Sequence, residues 1–204
     1  MTKKVLLKPA IFAVFGLTVL LCISFAGCKT DDEIIGYASR LRTARETLQD
    51  SIVLSAHATM NGTNLTKLER GCPVKFYFSW INGDTVNLQI RDFHVGKMPL
   101  SLSFSINLKF MDLNDWDKDE YTGSGWIKFV GDGGVSTMSG TERDGNGIVT
   151  GYFNANTKEI EFVTDFNVAS VTLDVYQQSI DFGRMANYND ELAEYESALA
   201  ALGQ

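Results

Sequence analysis

Leu100-Ser101-Leu102-Ser103-Phe104-Ser105-Ile106-Asn107-Leu108-Lys109-Phe110, LSLSFSINLKF, sets an apolar side chain at every second position and a polar one between. Successive side chains of a strand point to opposite faces, so the run has one dry face and one wet one. A helix would scatter both sets around its circumference. The stretch therefore decides for a half-buried β-strand, with Phe104 pointing inward and Ser103 and Ser105 outward.

The same period extends to both sides. Val74, Phe76, Phe78 and Trp80 form one apolar face, and after Asn82-Gly83-Asp84 the alternation resumes with Val86, Leu88 and Ile90. Asn-Gly between two such runs predicts a tight primed hairpin turn with positive φ. Further turn signals stand at Gly131-Asp132-Gly133-Gly134, Asp144-Gly145-Asn146-Gly147 and Asn154-Ala155-Asn156-Thr157. They divide short runs that end near Ile180, about eight or nine strands at hairpin spacing, the pattern of an antiparallel sandwich or barrel. The expected class is mainly β.

Two segments leave this rhythm. Met185, Tyr188, Leu192, Tyr195, Leu199 and Leu202 recur at three and four residues, with Asn187 as N-cap and Gly203 as stop, which predicts a C-terminal amphipathic helix over 187–202 packed on the sheet. In residues 31 to 48, Ile34, Tyr37, Ala38, Leu41 and Leu48 fit a helix, with Thr30 and Glu33 as a capping box. Ile35, Tyr37 and Leu41 fit a first strand as well, and both readings stand open.

The N-terminus carries Lys3, Lys4 and Lys8, then no charged side chain from Ala10 to Phe25, and then the small residues Ala26 and Gly27. That order predicts a signal peptide over residues 1–27. The competing reading is a membrane-spanning helix, since Pro9 to Gly27 approaches the roughly 20 residues a bilayer crossing takes. Phe25-Ala26-Gly27-Cys28 resembles a bacterial lipobox, which implies a leader cut before Cys28 and acyl chains on that cysteine. Two or three chains anchor a protein stably where one is marginal. The following Lys29-Thr30-Asp31-Asp32-Glu33 resembles the surface-export signal of Bacteroidetes-type lipoproteins, which implies an outer-membrane lipoprotein displayed at the cell surface, the periplasmic face being the alternative. Read blandly, Lys29, Asp31, Asp32 and Glu33 belong to a solvated tether or a helix's first turn.

Removing residues 1–27 takes three lysines and no acids, leaving 15 Lys and Arg against 25 Asp and Glu, a net charge of −10. A body so acidic repels phosphates, and nucleic acid is not expected as a partner. With Cys22 lost and Cys28 acylated, Cys72 alone remains as a thiol, so no intrachain disulfide is expected. The remaining 177 residues suit one domain with a core large enough to hold without staples.

Gly83-Asp84-Thr85-Val86-Asn87-Leu88-Gln89-Ile90-Arg91-Asp92-Phe93-His94-Val95-Gly96-Lys97-Met98-Pro99-Leu100 resembles the calycin-like β-barrel domains of Bacteroidetes lipoproteins. Their corresponding strand ends in Phe and is followed by a Gly-x-Met-Pro turn. Ile35-Gly36-Tyr37-Ala38-Ser39-Arg40-Leu41 is a looser match to the Gly-x-Tyr-x-Gly-x-Leu that opens such barrels. The resemblance implies an antiparallel lipocalin-like barrel and no assigned function. The expected organisation is a signal peptide over 1–27, lipidated Cys28 with an acidic tether over 28–33, a barrel over 34–183 and a C-terminal helix over 184–204. A transmembrane barrel also alternates, but it needs aromatic girdles and a terminal strand where this chain has an acidic helix.

Chemistry-bearing residues are sparse. His57 and His94 have no partner at ligand spacing, and Cys72 lies between Gly71 and Pro73 with no neighbouring base. Asp115, Asp117 and Asp119 copy the first ligands of a calcium loop, but Glu120 takes the glycine position and Trp126 stands where a bidentate Glu belongs. A solvated acidic loop is expected there. It contains Trp116, the one tryptophan expected at the surface, where an indole beside carboxylates suits a sugar ring; Trp80 and Trp126 are expected to be structural. Asp50-Ser51-Ile52 and Asp84-Thr85-Val86 resemble the Asp-Ser/Thr-aliphatic acceptors of Bacteroidetes-type O-glycosylation. No cofactor and no enzyme activity are expected. The expected function is binding of a small apolar ligand inside the barrel or of a glycan, the alternative being a scaffold for another envelope protein. Whether the barrel is hollow separates the two.

Overall fold

A computed structural model describes residues 31–94, 101–138, 141–143, 147–168, 171–179 and 187–203. The chain forms two compact units, Met1–Gly36 and Tyr37–Gln204. Of the first, the described part is the opening of helix α1 (Asp31–Thr47); everything below concerns the second.

Among the described residues eleven strands follow α1: β1 (Asp50–Met60), β2 (Thr63–Asn64), β3 (Cys72–Trp80), β4 (Thr85–Phe93), β5 (Leu102–Met111), β6 (Trp126–Asp132), β7 (Val135–Met138), β8 (Thr141–Arg143), β9 (Gly147–Asn154), β10 (Ile160–Val168) and β11 (Val171–Ser179). A six-residue helix α2 (Asp115–Glu120) lies between β5 and β6, and α3 (Tyr188–Ala201) follows β11. The pairings run β4, β3, β1, β11, β10, β9, β6, β5 and return from β5 to β4, all antiparallel, so eight strands close a ring. β7 and β8 branch from the first half of β5, and β2 from the end of β1. The expected mainly β, antiparallel barrel of about eight strands with a C-terminal helix is the observed fold.

Alternation does what the sequence asks. Leu102, Phe104, Ile106, Leu108 and Phe110 are buried, and Phe104 is 2% exposed. Phe76 meets Phe162 edge-on at 5.4 Å, Phe162 meets Phe129 at 5.8 Å, Phe129 meets Phe110 at 5.2 Å, and Trp80 stacks on Phe110 at 5.3 Å. Ring pairs at these separations add to the gain from burial alone. Gly151 makes room for them: a Cβ there would stand 2.3 Å from Phe162 Cβ and 2.5 Å from Phe129 Cζ.

Residues 31 to 48 resolve as a helix. Tyr37, Leu41, Ala44 and Leu48 recur on one face, with Ala44 and Leu48 fully buried and the other two half-buried. Ala, Arg and Leu are strong helix formers, and that propensity decides the segment against a strand. The looser barrel-opening match at Ile35 to Leu41 is thereby corrected: the first strand begins at Asp50. Tyr37 Oη donates to the Phe110 carbonyl at 3.1 Å, Arg45 donates to the carbonyls of Asn82 and Gly83, and Trp80 Nε1 donates to the Leu48 carbonyl at 2.8 Å. These bonds fasten the helix over the β3–β4 end of the ring.

The hairpin at Asn82-Gly83 exists, but not as a primed two-residue turn. The loop from Ile81 to Asp84 is longer, the Asn82 side chain accepts from the amides of Asp84 and Thr85, and Gly83 has no positive φ. The primed geometry occurs at Asn61 (φ 48) and Gly62 (φ 75), between β1 and β2. The Gly-x-Met-Pro turn and the Asp144–Gly147 turn lie at least partly outside the described residues.

Candidate functional site

The acidic stretch after β5 is a braced helix, a correction to the expected solvated loop. Asn114 Oδ1 accepts from the Asp117 amide at 2.8 Å, while Asp117 Oδ2 accepts from the Asn114 amide at 3.1 Å, a complete capping box. Asp117 is only 8% exposed because its carboxylate turns onto the outer wall of the ring. There Lys128 Nζ donates to both its oxygens at 2.9 and 3.0 Å, and Tyr152 Oη to one of them at 2.7 Å. Burial pushes the Asp117 carboxyl up, but the Lys128, Tyr152 and Asn114 donors outweigh it and hold it below the usual carboxylate range. Lys128 shifts upward in turn: burial works against its charge, and Asp117 prevails.

Residues 121–125 complete the wall. Tyr121 stacks on Tyr152, ring centroids 3.7 Å apart at 20°, and meets Trp126 in a T-shaped arrangement at 4.9 Å. Its hydroxyl donates to Glu161 Oε1 at 2.5 Å. Burial and the neighbouring Glu161 raise the Tyr121 phenol far above its ordinary value, so it remains a donor. Gly125 has φ +113, and a Cβ on it would stand 2.6 Å from Asn154 Oδ1, which is why glycine closes this loop against the β9–β10 turn. On this support Trp116 projects into solvent, 85% exposed, between the exposed Asp115 and the buried Asp117. The cluster can hold a planar apolar face beside hydrogen-bond acceptors. As a general acid Asp117 is ill suited, since its carboxyl is pushed down rather than up. Its oxygens are occupied by Lys128 and Tyr152, so the calcium-like spacing yields no converging ligand set.

Elsewhere, Trp80 is half-buried against Phe110 and Trp126 half-buried against Tyr121, both structural as expected. Cys72 is buried, with its thiol pushed up to about 11 by burial, and the Tyr195 hydroxyl, raised to about 12, faces it. A thiol so shifted is a poor nucleophile. His57 is half-buried and His94 exposed. The C-terminal helix brings a residue that its amphipathic pattern did not mark: Glu191, 1% exposed, accepts from Arg70 Nη2 at 2.5 Å, while Glu194 takes the other guanidinium nitrogen at the same distance.

Residues 28–204 match the model of a family described as a domain of unknown function (DUF4903). The chain belongs to that family. No curated protein matches it. Within this DUF4903 domain, the proposed lipid site Cys28 and the neighbouring Lys29 lie outside the described residues, and Asp31, Asp32 and Glu33 form the first backbone turn of α1. The expected anchor residues and Trp116 are well apart in sequence, and Trp116 alone among the expected site residues stands on the wall of the barrel. Sequence reading missed Lys128, Tyr152, Tyr121 and Glu161, which come from other strands and loops; their signal was the polar half of each alternating run.

Proposed function

We propose that this DUF4903 protein is a non-catalytic binding module of calycin-like type, lipid-anchored through Cys28 to the outer membrane and displayed at the cell surface, that holds a glycan against its outer wall at Trp116. One observation carries the glycan branch: the only strongly exposed large aromatic among the described residues stands on a helix whose own carboxylate is locked to the wall. An exposed indole costs hydration free energy unless something covers it, and a braced one covers a sugar face without loss of side-chain support. The apolar-ligand branch has less support, because Phe76, Phe104, Phe110, Phe129, Phe153 and Phe162 occupy the described interior. The anchor reading draws support from the lipobox pattern and from a family match that starts at residue 28.

The experiment is a neutral glycan screen on the full chain, followed by titration of Trp116→Ala. Saturable binding that the variant loses, with its unfolding midpoint unchanged, is the expected result; binding indifferent to Trp116 would move the site elsewhere. For the anchor, Cys28→Ser abolishes acyl labelling and releases the chain from membranes, whereas retention with the leader attached would argue for a spanning helix. Replacing Asp31, Asp32 and Glu33 by Ala keeps lipidation and removes protease accessibility on intact cells; unchanged exposure would leave a simple tether.

A second reading, a scaffold for another envelope protein, is favoured by Ile148 and Val163, exposed apolar side chains on the outer faces of the adjacent β9 and β10. Recovery of one stoichiometric envelope protein by cross-linking, lost on changing Ile148 and Val163 to Ser, would favour it over the glycan reading.

A further inference from the structure

A second part of the outer wall, far along the chain from Trp116, carries a cleft that the reading above does not use. Because Val74, Phe76 and Phe78 point inward, Lys75 and Tyr77 of β3 stand outside, and because Leu88 and Ile90 point inward, Arg91 of β4 does too. The Arg91 guanidinium lies 4.2 Å over the Tyr77 ring. On the other flank the first residue of α3, Tyr188, has the Lys75 ammonium 5.1 Å over its own ring. Asp92 and His94 complete the lining of a space of about 270 Å3. That lies just below the range of ordinary ligand pockets, room for one ring and its substituents.

Two independent features mark the cleft as built. β4 breaks register with β5 between Ile90 and Phe93, and Asp92 sits at φ 51 with its amide donating to Ser103 Oγ at 3.0 Å. Left-handed backbone at a residue with a side chain is unfavourable, and bulges that keep it re-aim side chains beside binding sites. The second feature is charge. Among the described residues Arg40, Arg70, Lys118 and Lys128 pair with carboxylates, whereas Lys75 and Arg91, like Arg42, Arg45, Lys67, Lys109 and Lys158, form no ion pair, and Arg91 donates to the neutral Gln89 Oε1 at 3.2 Å. Both cations line one cleft against the single carboxylate of Asp92, a net positive site in an acidic body, and each is held in place by a ring face.

We propose that this cleft binds a monoanionic, polyhydroxylated ring, the chemistry of a hexuronic acid: Lys75 and Arg91 take the carboxylate, Asp92 accepts from ring hydroxyls, and Tyr77 and Tyr188 border the C–H face. Asp92 sets the selectivity. A dianion such as phosphate meets its carboxylate and offers it fewer donors, while a neutral hexose leaves both cations without a counter-charge.

The test is calorimetric titration of the full chain with D-glucuronate, D-glucose and inorganic phosphate. Glucuronate should bind at one site, weaken with added salt, and bind at least about tenfold more tightly than either comparator, as a charge-assisted contact warrants. Arg91→Ala and Lys75→Ala should each weaken it about tenfold with an unchanged unfolding midpoint, and Asp92→Asn should narrow the gap between glucuronate and phosphate. Trp116→Ala should leave this binding untouched, which separates it from the neutral-glycan site. Phosphate equal to glucuronate, glucose equal to glucuronate, no glucuronate binding, or indifference to Arg91 in a folded variant would each overturn the proposal. Should Arg91→Ala not fold, Arg91→Gln keeps part of the aliphatic stem and a polar end without the charge, and reads the same loss.

Discussion

Lys128, Tyr152 and Glu161 stand one residue away from Phe129, Phe153 and Phe162 on β6, β9 and β10, yet the two sets live in opposite surroundings. Inside, Phe129, Phe153 and Phe162 are buried, and Gly151 gives up its side chain so that two of the rings fit. Outside, Lys128 and Tyr152 hold Asp117, and Glu161 holds Tyr121. The inner face spends its residues on stability, and the outer face spends its polar groups on presenting α2 and Trp116. A barrel whose described lining is this full leaves the wall as the place for the recognition proposed above.

The contrast can be broken most forcefully from within. Phe129→Ala should cost about 3 to 5 kcal/mol in urea unfolding, the usual loss for a truncated core ring. A near-neutral result would mean that the interior holds space after all, and would return the apolar-ligand reading to the front.

Asp117→Asn comes next, at about 2 kcal/mol, because Lys128 is then left largely buried without its counter-charge. The effect has a pH signature. The Asp117 carboxyl is held below its unfolded value of about 3.9, so the stability it contributes is complete above that pH and is lost as pH falls through the folded value. Wild type and variant should therefore converge in denaturation curves taken from pH 5 downward; a gap that stays constant would put the pair's contribution down to packing.

Ser103→Ala probes the outer wall where it meets strained backbone. Both Ser103 and Ser105 read as neutral surface positions, but Ser103 Oγ accepts from the Asp92 amide at the bulge, while Ser105 Oγ contacts the Asn87 side chain. Ser103→Ala should cost about 1 kcal/mol in thermal or chemical unfolding and Ser105→Ala a few tenths. Equal effects would remove the special role given to the bulge. Smallest of all is Trp116→Ala, within about 0.5 kcal/mol of wild type in stability, as befits a surface residue with no buried contact to lose. A larger loss would show that Trp116 packs on the wall and is no free platform.

How much of this could be read beforehand follows from the range of the interactions. The strands of LSLSFSINLKF and its neighbours were legible because alternation is local and has one period. The segment at 31 to 48 was ambiguous because Tyr37 and Leu41 satisfy both periods; helix propensity favours one of them, and the burial of Ala44 and Leu48 agrees with it. The dipeptide Asn-Gly occurs three times, and of the two occurrences wholly among the described residues one adopts primed geometry, since the two-residue connection at Asn61-Gly62 demands it and the longer loop at Asn82-Gly83 does not. Asp117 and Glu191 were illegible for a different reason: an acid at the polar edge of a helix reads as solvated until its partner arrives, and Lys128 is 11 residues away while Arg70 is 121 away.

The closure of the ring has a consequence for copies of the chain in each other's company. Each of the eight ring strands has neighbours on both sides, and the described strands with a single pairing are β2 and β8, two and three residues long. Stacking of proteins into fibrils or sheets starts from a long, unsatisfied edge that a second chain can extend. Such a template is missing from the ring, so molecules crowded shoulder to shoulder can drift past one another without being zipped into a polymer.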